Sequence, residues 1–169
     1  YTPDANKAKA LLKEAGFSGD VPVTLKVLGS IQTVRDVAQV VQAQLNAAGF
    51  KAQLEIQEQG KFIQDWRNSN FEAFVSQNGG SPDPDDYFYR TFRTGGSTNV
   101  FKFSDARVDE LLDKEQQEFD PKKRRQYLSQ AMSLITEDAP ACFMWRHKLL
   151  WGLHNRVEYK PLPDSRIYA

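Results

Sequence analysis

Two hydrophobic periods alternate along the first half of the chain. Apolar residues recur at helical spacing from Ala8 to Ala15 and from Val34 to Ala48. The segments 21–27 and 50–56 instead alternate apolar and polar residues, and this period of two is typical of strands. A strand, a helix of about 15 residues and a second strand predict a βαβ unit, in which a right-handed crossover joins two parallel strands.

Residues with special backbone chemistry mark the ends of the two predicted helices. Thr2 is the predicted N-cap of the first helix, with Pro3 as its first residue and Asp4 as an acid in its first turn. Gly16 and Gly49 follow the two apolar stripes directly. Because glycine tolerates the left-handed backbone of a helix end, we expect both helices to stop there.

The pattern continues through the middle of the chain. Residues 61–68 are a predicted third helix, and residues 71–75 a third strand. The next segment, 76–86, holds two glycines, two prolines and three aspartates, a composition that predicts a loop. A short aromatic helix over 87–92 and a second polar loop over 94–99 complete this region.

Two further helices and two short strands are predicted in the last third. Ser104 is the predicted N-cap of one helix, and Asp120 and Pro121 begin the next. Their predicted inward faces are apolar: Val108, Leu111 and Leu112 on the first, and Leu128, Ala131, Met132 and Ile135 on the second. The apolar runs 141–145 and 149–153 are suited to strands, with Cys142 buried in the first.

Composition limits the classes of partner. The chain has 169 residues, with 22 basic and 22 acidic side chains, so no net field attracts nucleic acid or an acidic membrane. The basic run 122–125 is therefore interpreted as a solvated helix face. One cysteine excludes an intrachain disulfide, and no apolar run approaches the roughly 20 residues of a membrane helix. The predicted fold class is α/β: one domain, with a mixed sheet around the βαβ unit and flanking helices.

The loop 76–86 is the best candidate for a functional site. It follows a predicted strand, and ligands in open α/β sheets bind outside the carboxyl ends of strands. The alternative is a solvated connector whose aspartates cap the next helix. Asp83 and Asp85 are expected to hold the shape of the loop in either case.

Catalytic and metal chemistry find little support. Cys142, His147 and His154 do not have the spacing of a zinc site, and the three aspartates of the loop lack the glycine and distal glutamate of a calcium loop. Neither nucleotide-binding glycine motif is present, so no cofactor is predicted. Two rival classes remain. The first is a small hydrolase or transferase using Asp83, Asp85 or His147, and the second is a structural interaction module with a large apolar groove.

Five segments together resemble a known family. Residues 1–17 resemble the family segment Y-x-P-x-x-A-K-x-L-L-x-E-A-G-F, and residues 40–50 resemble the helix Q-x-x-L-x-x-x-G. Residues 83–85 are similar to part of the loop P-D-P-D, residues 108–113 to V-D-x-L-L-D, and residues 138–140 to D-A-P. Their order is that of the family 5 extracellular solute-binding proteins, the dipeptide and oligopeptide receptors of ABC importers. The resemblance implies a binding protein and not an enzyme.

Family members have two lobes that close over a solute, and this chain is similar to the C-terminal lobe alone. The resemblance thus implies a missing N-terminal lobe, a signal peptide on that absent part, and a permease as partner. It also implies a periplasmic location, or a membrane-anchored extracellular one in a Gram-positive host. Residues 149–169 are expected to be the return segment to the other lobe, leaving apolar surface at Trp151, Tyr159 and Tyr168.

The departures from the family pattern bear on the solute. Peptide receptors of the family read G-W-x-x-D before P-D-P-D, and the aspartate pairs with the ammonium group of the peptide. Here those positions are Gln77 and Gly80, and the E-W of the third helix is Glu58 and Gln59. We therefore expect a polar solute, sugar-like or acidic, with peptide as the alternative. The ligand-binding residues expected from position are Gln59, Gln77, Asn78, Gly80 and Asn99.

Overall fold

The computed structural model describes residues 4–78, 83–144 and 152–157. The chain divides into two compact units, Tyr1–Asn78 and Gly79–Ala169. The described part of the first contains three helices and three strands, and the described part of the second contains three helices. Among the predicted features, Trp151, Tyr159 and Tyr168 lie outside the described residues.

The first unit follows the predicted order of elements. These are α1 (Ala5–Glu14), β1 (Val21–Leu28), α2 (Gln32–Ala47), β2 (Phe50–Gln57), α3 (Gln59–Arg67) and β3 (Ala73–Val75). Gly16 and Gly49 adopt φ angles of +88° and +101°, the left-handed conformation expected after a helix. The predicted ends of α1 and α2 are thereby confirmed.

The three strands form one parallel sheet in the order β2-β1-β3. The β1–β2 register runs from Val21 opposite Phe50 to Leu28 opposite Gln57, and Val27 lies opposite Val75 on β3. The α/β class and the βαβ unit are confirmed. Every strand pairing among the described residues is parallel, so the carboxyl ends of all three strands lie at one edge, which we call the carboxyl edge.

Helices cover the two faces of this sheet. Val27 and Val75 are buried with Val34 and Ala38 of α2. Successive side chains of a strand point to opposite faces, and the neighbouring residue Lys26 contacts α3 on the other side. The sheet is therefore sandwiched between α2 and α3, which fixes the orientation of the carboxyl edge within this unit.

Two predicted N-caps are displaced by the structure. Asp4, and not Thr2, caps α1, because its carboxylate accepts hydrogen bonds from the amides of the second and third helical residues at 3.0 and 2.9 Å. Asp105, and not Ser104, caps the fifth helix and accepts from the amide of Arg107 at 2.8 Å. In both cases a carboxylate one or two residues nearer the helix satisfies the free amides.

The second unit is built from α4 (Pro84–Phe92), α5 (Ala106–Gln117) and α6 (Pro121–Asp138). Its core consists of six buried side chains, Phe92, Phe103, Val108, Leu112, Ala131 and Ile135. The aromatic helix and the Asp120–Pro121 start of α6 are confirmed. Met132 was expected to face inward, but it is 42% exposed, because the buried stripe of α6 runs through Ala131 and Ile135.

The predicted loop 76–86 is shorter than expected at its end. Residues 84–86 form the first turn of α4, and Asp83 is its N-cap. Proline at the first helical position costs nothing there, since that residue has no intrahelical amide partner. The prediction that 84–86 continue the loop is therefore wrong.

The strand predicted over 141–145 is absent from its described part. Residues 141–144 have no strand structure, and Cys142 is exposed instead of buried. No described strand pairs with this run, and an unpaired strand would leave its backbone groups without partners. Most of the second predicted strand, residues 149–151, lies outside the described residues, and residues 152–153 are irregular.

Candidate functional site

The carboxyl edge brings three of the predicted ligand-binding residues to one side of a single sheet. Gln59 lies two residues beyond β2, and Gln77 and Asn78 lie two and three residues beyond β3. All three residues are exposed. Because β1 lies between β2 and β3, its end at Gly29 separates these two groups. Gly80 lies outside the described residues.

Gly29 lets the ends of β1 and β2 approach closely at this edge. Its amide donates to the carbonyl of Gln57 at 2.9 Å. A Cβ at this position would lie 2.7 Å from that same carbonyl oxygen and 2.8 Å from Cγ2 of Ile56, distances that real Cβ atoms do not tolerate. Because Gly29 has no side chain, the ends of β1 and β2 can lie this close together. No side chain projects from position 29, between Gln59 and Gln77.

A buried carboxylate lies on the α3 face of the sheet. Asp65 accepts hydrogen bonds from Lys26 Nζ at 2.7 Å, Lys61 Nζ at 2.6 Å, Gln57 Nε2 at 2.8 Å and Asn70 Nδ2 at 3.1 Å. We call these five side chains the Asp65 cluster. The ammonium group of Lys26, followed by that of Lys61, holds the pKa of Asp65 well below its ordinary value. The cluster ties β1 and the end of β2 to α3, the helix that begins at Gln59.

Gln57 is fixed in one orientation by its neighbours. Its Nε2 donates to Glu55 Oε1 at 2.7 Å as well as to Asp65. Because a carboxylate only accepts hydrogen bonds, the amide nitrogen must face both groups. These two hydrogen bonds hold the Gln57 side chain in place at the end of β2. The next residue, Glu58, caps α3, because its carboxylate accepts from the amide of Gly60 at 2.9 Å.

We predict that the Asp65 cluster makes the stability of the first unit pH-dependent in acid. The folded-state pKa of Asp65 lies below its ordinary value of 3.8, so its stabilisation is complete above that value and is lost as the pH falls through the depressed pKa. Urea unfolding across a pH series checks this. Asp65→Asn should lower the free energy of unfolding at neutral pH and flatten its decline below about pH 4.

The matched control for this prediction is Asp20→Asn, at an exposed aspartate of the same unit. It should leave both the stability at neutral pH and the slope in acid close to those of the parent chain. Equal slopes for Asp65→Asn and the parent chain would show that the Asp65 cluster does not control acid stability.

Asn99 lies in the second unit, where its amide binds the backbone of its own loop. Nδ2 donates to the carbonyls of Arg93 at 3.0 Å and Phe103 at 2.7 Å, and Oδ1 accepts from the amide of Phe103 at 3.0 Å. These three bonds close the polar loop between α4 and α5. A contact between Asn99 and a solute stays a prediction.

Asp83 and Asp85 both bind within the second unit. Asp83 Oδ1 accepts from the amide of Asp85 at 3.1 Å, and both of its carboxylate oxygens lie 3.2 Å from Arg124 Nη2. Asp85 Oδ2 accepts from Gln116 Nε2 at 3.2 Å. The two aspartates thus hold the start of α4 against α5 and α6. Arg124 was assigned to a solvated face, but it is partly buried, because it also binds the buried carboxylate of Glu115.

A second ion pair joins α4 and α5. Arg93 binds Asp113 through two parallel hydrogen bonds, Nε to Oδ1 at 2.8 Å and Nη2 to Oδ2 at 3.0 Å. The hydroxyl of Tyr89 donates to the same carboxylate at 3.1 Å, and the Arg93 guanidinium lies 5.3 Å from the centre of the Tyr89 ring. Arg93 lowers the pKa of Asp113, so this pair stays ionised at neutral pH.

Catalytic groups do not converge in the described part of the chain. His154 and Cys142 are exposed, His147 lies outside the described residues, and the described residues contain no group of three or more side chains suited to a metal ion. In the same part of the chain, no helix is long and apolar enough to cross a membrane. Among the described residues, the carboxyl edge remains the candidate site, with Gln59, Gln77 and Asn78 exposed beyond the strand ends.

The first unit and the start of the second match a family model in sequence. Residues 1–100 match the model described as bacterial extracellular solute-binding proteins, family 5 middle. The match covers all of the first unit and the start of the second, including α4. The carboxyl edge therefore lies wholly within the matched residues.

Relatives and solved structures extend the similarity. The dipeptide-binding protein of Escherichia coli K12 is 27% identical over 149 residues, which are 83% of this chain and 28% of that protein. The oligopeptide-binding protein AppA of Bacillus subtilis, solved with a nonapeptide, is 26% identical with a TM-score of 0.73, over 81% of this chain and 30% of that one. MoaA of A. tumefaciens R10, solved with mannopinic acid, is 25% identical with a TM-score of 0.73, over 81% and 29%. The chain thus spans less than a third of the length of each.

Proposed function

Because the chain belongs to the bacterial family 5 extracellular solute-binding proteins, we propose that it is one lobe of a substrate-binding protein for an ABC importer. The observation that carries this proposal is the carboxyl edge, where Gln59 lies just beyond the end of β2, and Gln77 and Asn78 lie just beyond the end of β3. Exposed amide side chains at such an edge offer both donors and acceptors to a polar solute. The chain captures a solute and does not transform it.

The rest of the receptor is part of the same proposal. The relatives are more than three times as long as the segment matched here, which supports a second, N-terminal lobe that closes over the solute by a hinge. A permease in the membrane receives the solute, and the receptor works in the periplasm or, anchored, at the outer surface of the cell. Nucleic acid is not a partner in this proposal.

The proposed solute class follows from the hydrogen-bonding groups at the carboxyl edge. Gln77 and Asn78 present neutral amides, and the position that carries an ammonium-binding aspartate in peptide receptors of this family is Gly80. A solute with hydroxyl or carboxylate groups finds partners in such amides without needing a carboxylate. The mannopinic acid complex of a relative supports this class. Peptide is the second candidate, supported by the dipeptide-binding and nonapeptide-bound relatives.

Thermal unfolding of the intact receptor separates the two classes. A solute at about 100 times its Kd stabilises the protein that binds it by about 2.7 kcal/mol. We expect mannopinic acid and related sugar acids to raise the unfolding midpoint, and unmodified dipeptides and tripeptides to raise it less. Larger stabilisation by the peptides would assign the receptor to peptides, and no stabilisation by either class would contradict a receptor for small polar solutes.

A further inference from the structure

Two carboxylates of the second unit, Asp83 and Glu115, share one partly buried cation, Arg124. Glu115 of α5 is fully buried, and its Oε1 accepts from Arg124 Nε at 2.7 Å. The same guanidinium binds Asp83 through Nη2 at 3.2 Å. Asp85, the second residue of α4, lies beside Glu115, because it accepts a hydrogen bond at 3.2 Å from Gln116, the next residue of α5. We call Asp85 and Glu115 the carboxyl pair.

Two oxygens of the carboxyl pair have no donor. Asp85 Oδ1 and Glu115 Oε2 are both buried, and no described residue donates a hydrogen bond to either. The other oxygen of each group is occupied, in Asp85 by Gln116 Nε2 and in Glu115 by Arg124. Ionised carboxylates only accept hydrogen bonds. Facing each other as two anions, they would repel and leave two buried acceptors unsatisfied.

The charges around the carboxyl pair do not cancel. From α4 it meets the carboxylate of Asp83, and from α6 it meets the guanidinium of Arg124. Arg125 lines a cavity of about 220 Å³ beside Glu115, together with Asp83, Pro84, Pro121, Arg124 and Leu128. Arg124 carries one positive charge and already pairs with the two carboxylates of Asp83 and Glu115, so an ionised Asp85 would add a negative charge that Arg124 does not balance.

We propose that Asp85 and Glu115 share one proton between Asp85 Oδ1 and Glu115 Oε2, and that this protonated pair is a pH-sensitive clamp holding the start of α4 on α5. One proton turns two facing acceptors into a donor and an acceptor, and it removes one buried negative charge. Burial, followed by the neighbouring Asp85, raises the pKa of Glu115. The cavity beside Glu115 gives the proton a route to solvent.

The clamp has the opposite pH dependence to the Asp65 cluster. A folded-state pKa above the ordinary value means that the stabilisation is complete below that value and is lost as the pH rises through the raised pKa. Each unit by which the pKa is raised corresponds to about a tenfold change in the unfolding equilibrium constant. The clamp therefore loosens as the pH rises above about 4.5 and through the raised pKa of Glu115, first at the start of α4.

The direct test is an NMR titration of the carboxyl carbons in protein labelled at Asp and Glu. Glu115 should titrate above its ordinary value of 4.5. Titration of Glu115 at or below 4.5 would overturn the proposal. So would a transition that moves with added sodium or calcium, because it would place a cation between the two oxygens.

Variants give an independent readout that needs no solute. In Glu115→Gln, the amide can donate to Asp85 without a titrating proton, so the loss of stability as the pH rises above about 4.5 should disappear. Asp85→Asn should remove the same loss from the other side, and it serves if the first variant does not fold. Glu110→Gln, at an exposed residue of α5 paired with Lys114, is the control and should keep this loss. An unchanged pH profile in both pair variants would refute the clamp, whatever solute the receptor takes.

Discussion

Replacing Phe92 with alanine is expected to lower the free energy of unfolding of the second unit by about 3–5 kcal/mol. The ring is fully buried and lies among other aromatic rings, 6.1 Å from Phe101 in a stacked arrangement and 6.2 Å from Phe103 edge-on. Truncation removes these contacts and leaves a cavity between α4, α5 and α6, which close-packed neighbours fill only in part.

The matched control for Phe92→Ala is Phe119→Ala. Phe119 lies in the connection between α5 and α6 and is 97% exposed, so its loss should change the free energy of unfolding by no more than about 0.5 kcal/mol. Urea unfolding followed by circular dichroism measures both variants. Similar losses for the two would mean that Phe92 is not the centre of this core.

Removing the amides at the end of β3 is expected to weaken solute binding strongly. Gln77 and Asn78 are exposed at the carboxyl edge, where the proposed solute hydrogen-bonds to both. A hydrogen bond contributes about 0.5–1.5 kcal/mol net, so losing two in the double variant Gln77→Ala/Asn78→Ala should weaken binding by about tenfold to a hundredfold. Calorimetric titration of the intact receptor with its solute gives the ratio.

A glutamine on another surface serves as the control for this loss. Gln44 is exposed in the last turn of α2, close to the amino end of β2 and not to the carboxyl edge, and Gln44→Ala should leave the affinity unchanged. Thermal unfolding of the free variants verifies that both remain folded. Unchanged affinity in the double variant would remove Gln77 and Asn78 from the binding site.

The fold of the first unit was predictable because its signals are local. Alternation in 21–27 and 50–56 marks strands that bury one face, and the stripe through Val34 and Ala38 marks the helix that covers it. Gly16 and Gly49 mark helix ends for a steric reason that needs no tertiary information. The parallel pairing of β1 with β2 then follows from the βαβ connection, whereas the position of β3 beside β1 does not follow from any local pattern.

The charged clusters were not predictable because their partners are far apart in the chain. In the sequence, Lys26 is one of the polar residues of an alternating strand. In the structure it binds Asp65, which follows 39 residues later in the chain. Arg124 was predicted to be one of four solvated cations. In the structure it donates a hydrogen bond to Asp83, which precedes it by 41 residues. Periodicity reports which residues face a core, and it does not report which buried charges meet there. The one available signal for Asp65 was its position three residues after Phe62, the spacing that places both side chains on one face of α3.

Caps and irregular segments account for the remaining differences. At Asp4 and Asp105 a carboxylate next to the helix displaced the predicted cap, a competition between neighbours that sequence patterns resolve poorly. Asp83 and Pro84 were assigned to a loop because proline and aspartate are common in turns, but the same two residues are also a favourable helix start. The apolar run at 141–144 lacked a strand partner.

A crystal structure of the intact receptor with its solute tests the central claim most directly. The account predicts a small polar molecule at the carboxyl edge of the sheet β2-β1-β3, within hydrogen-bonding distance of the side chains of Gln77 or Asn78 and covered by a second lobe. A solute bound elsewhere, with Gln59, Gln77 and Asn78 all in contact with solvent, would contradict it.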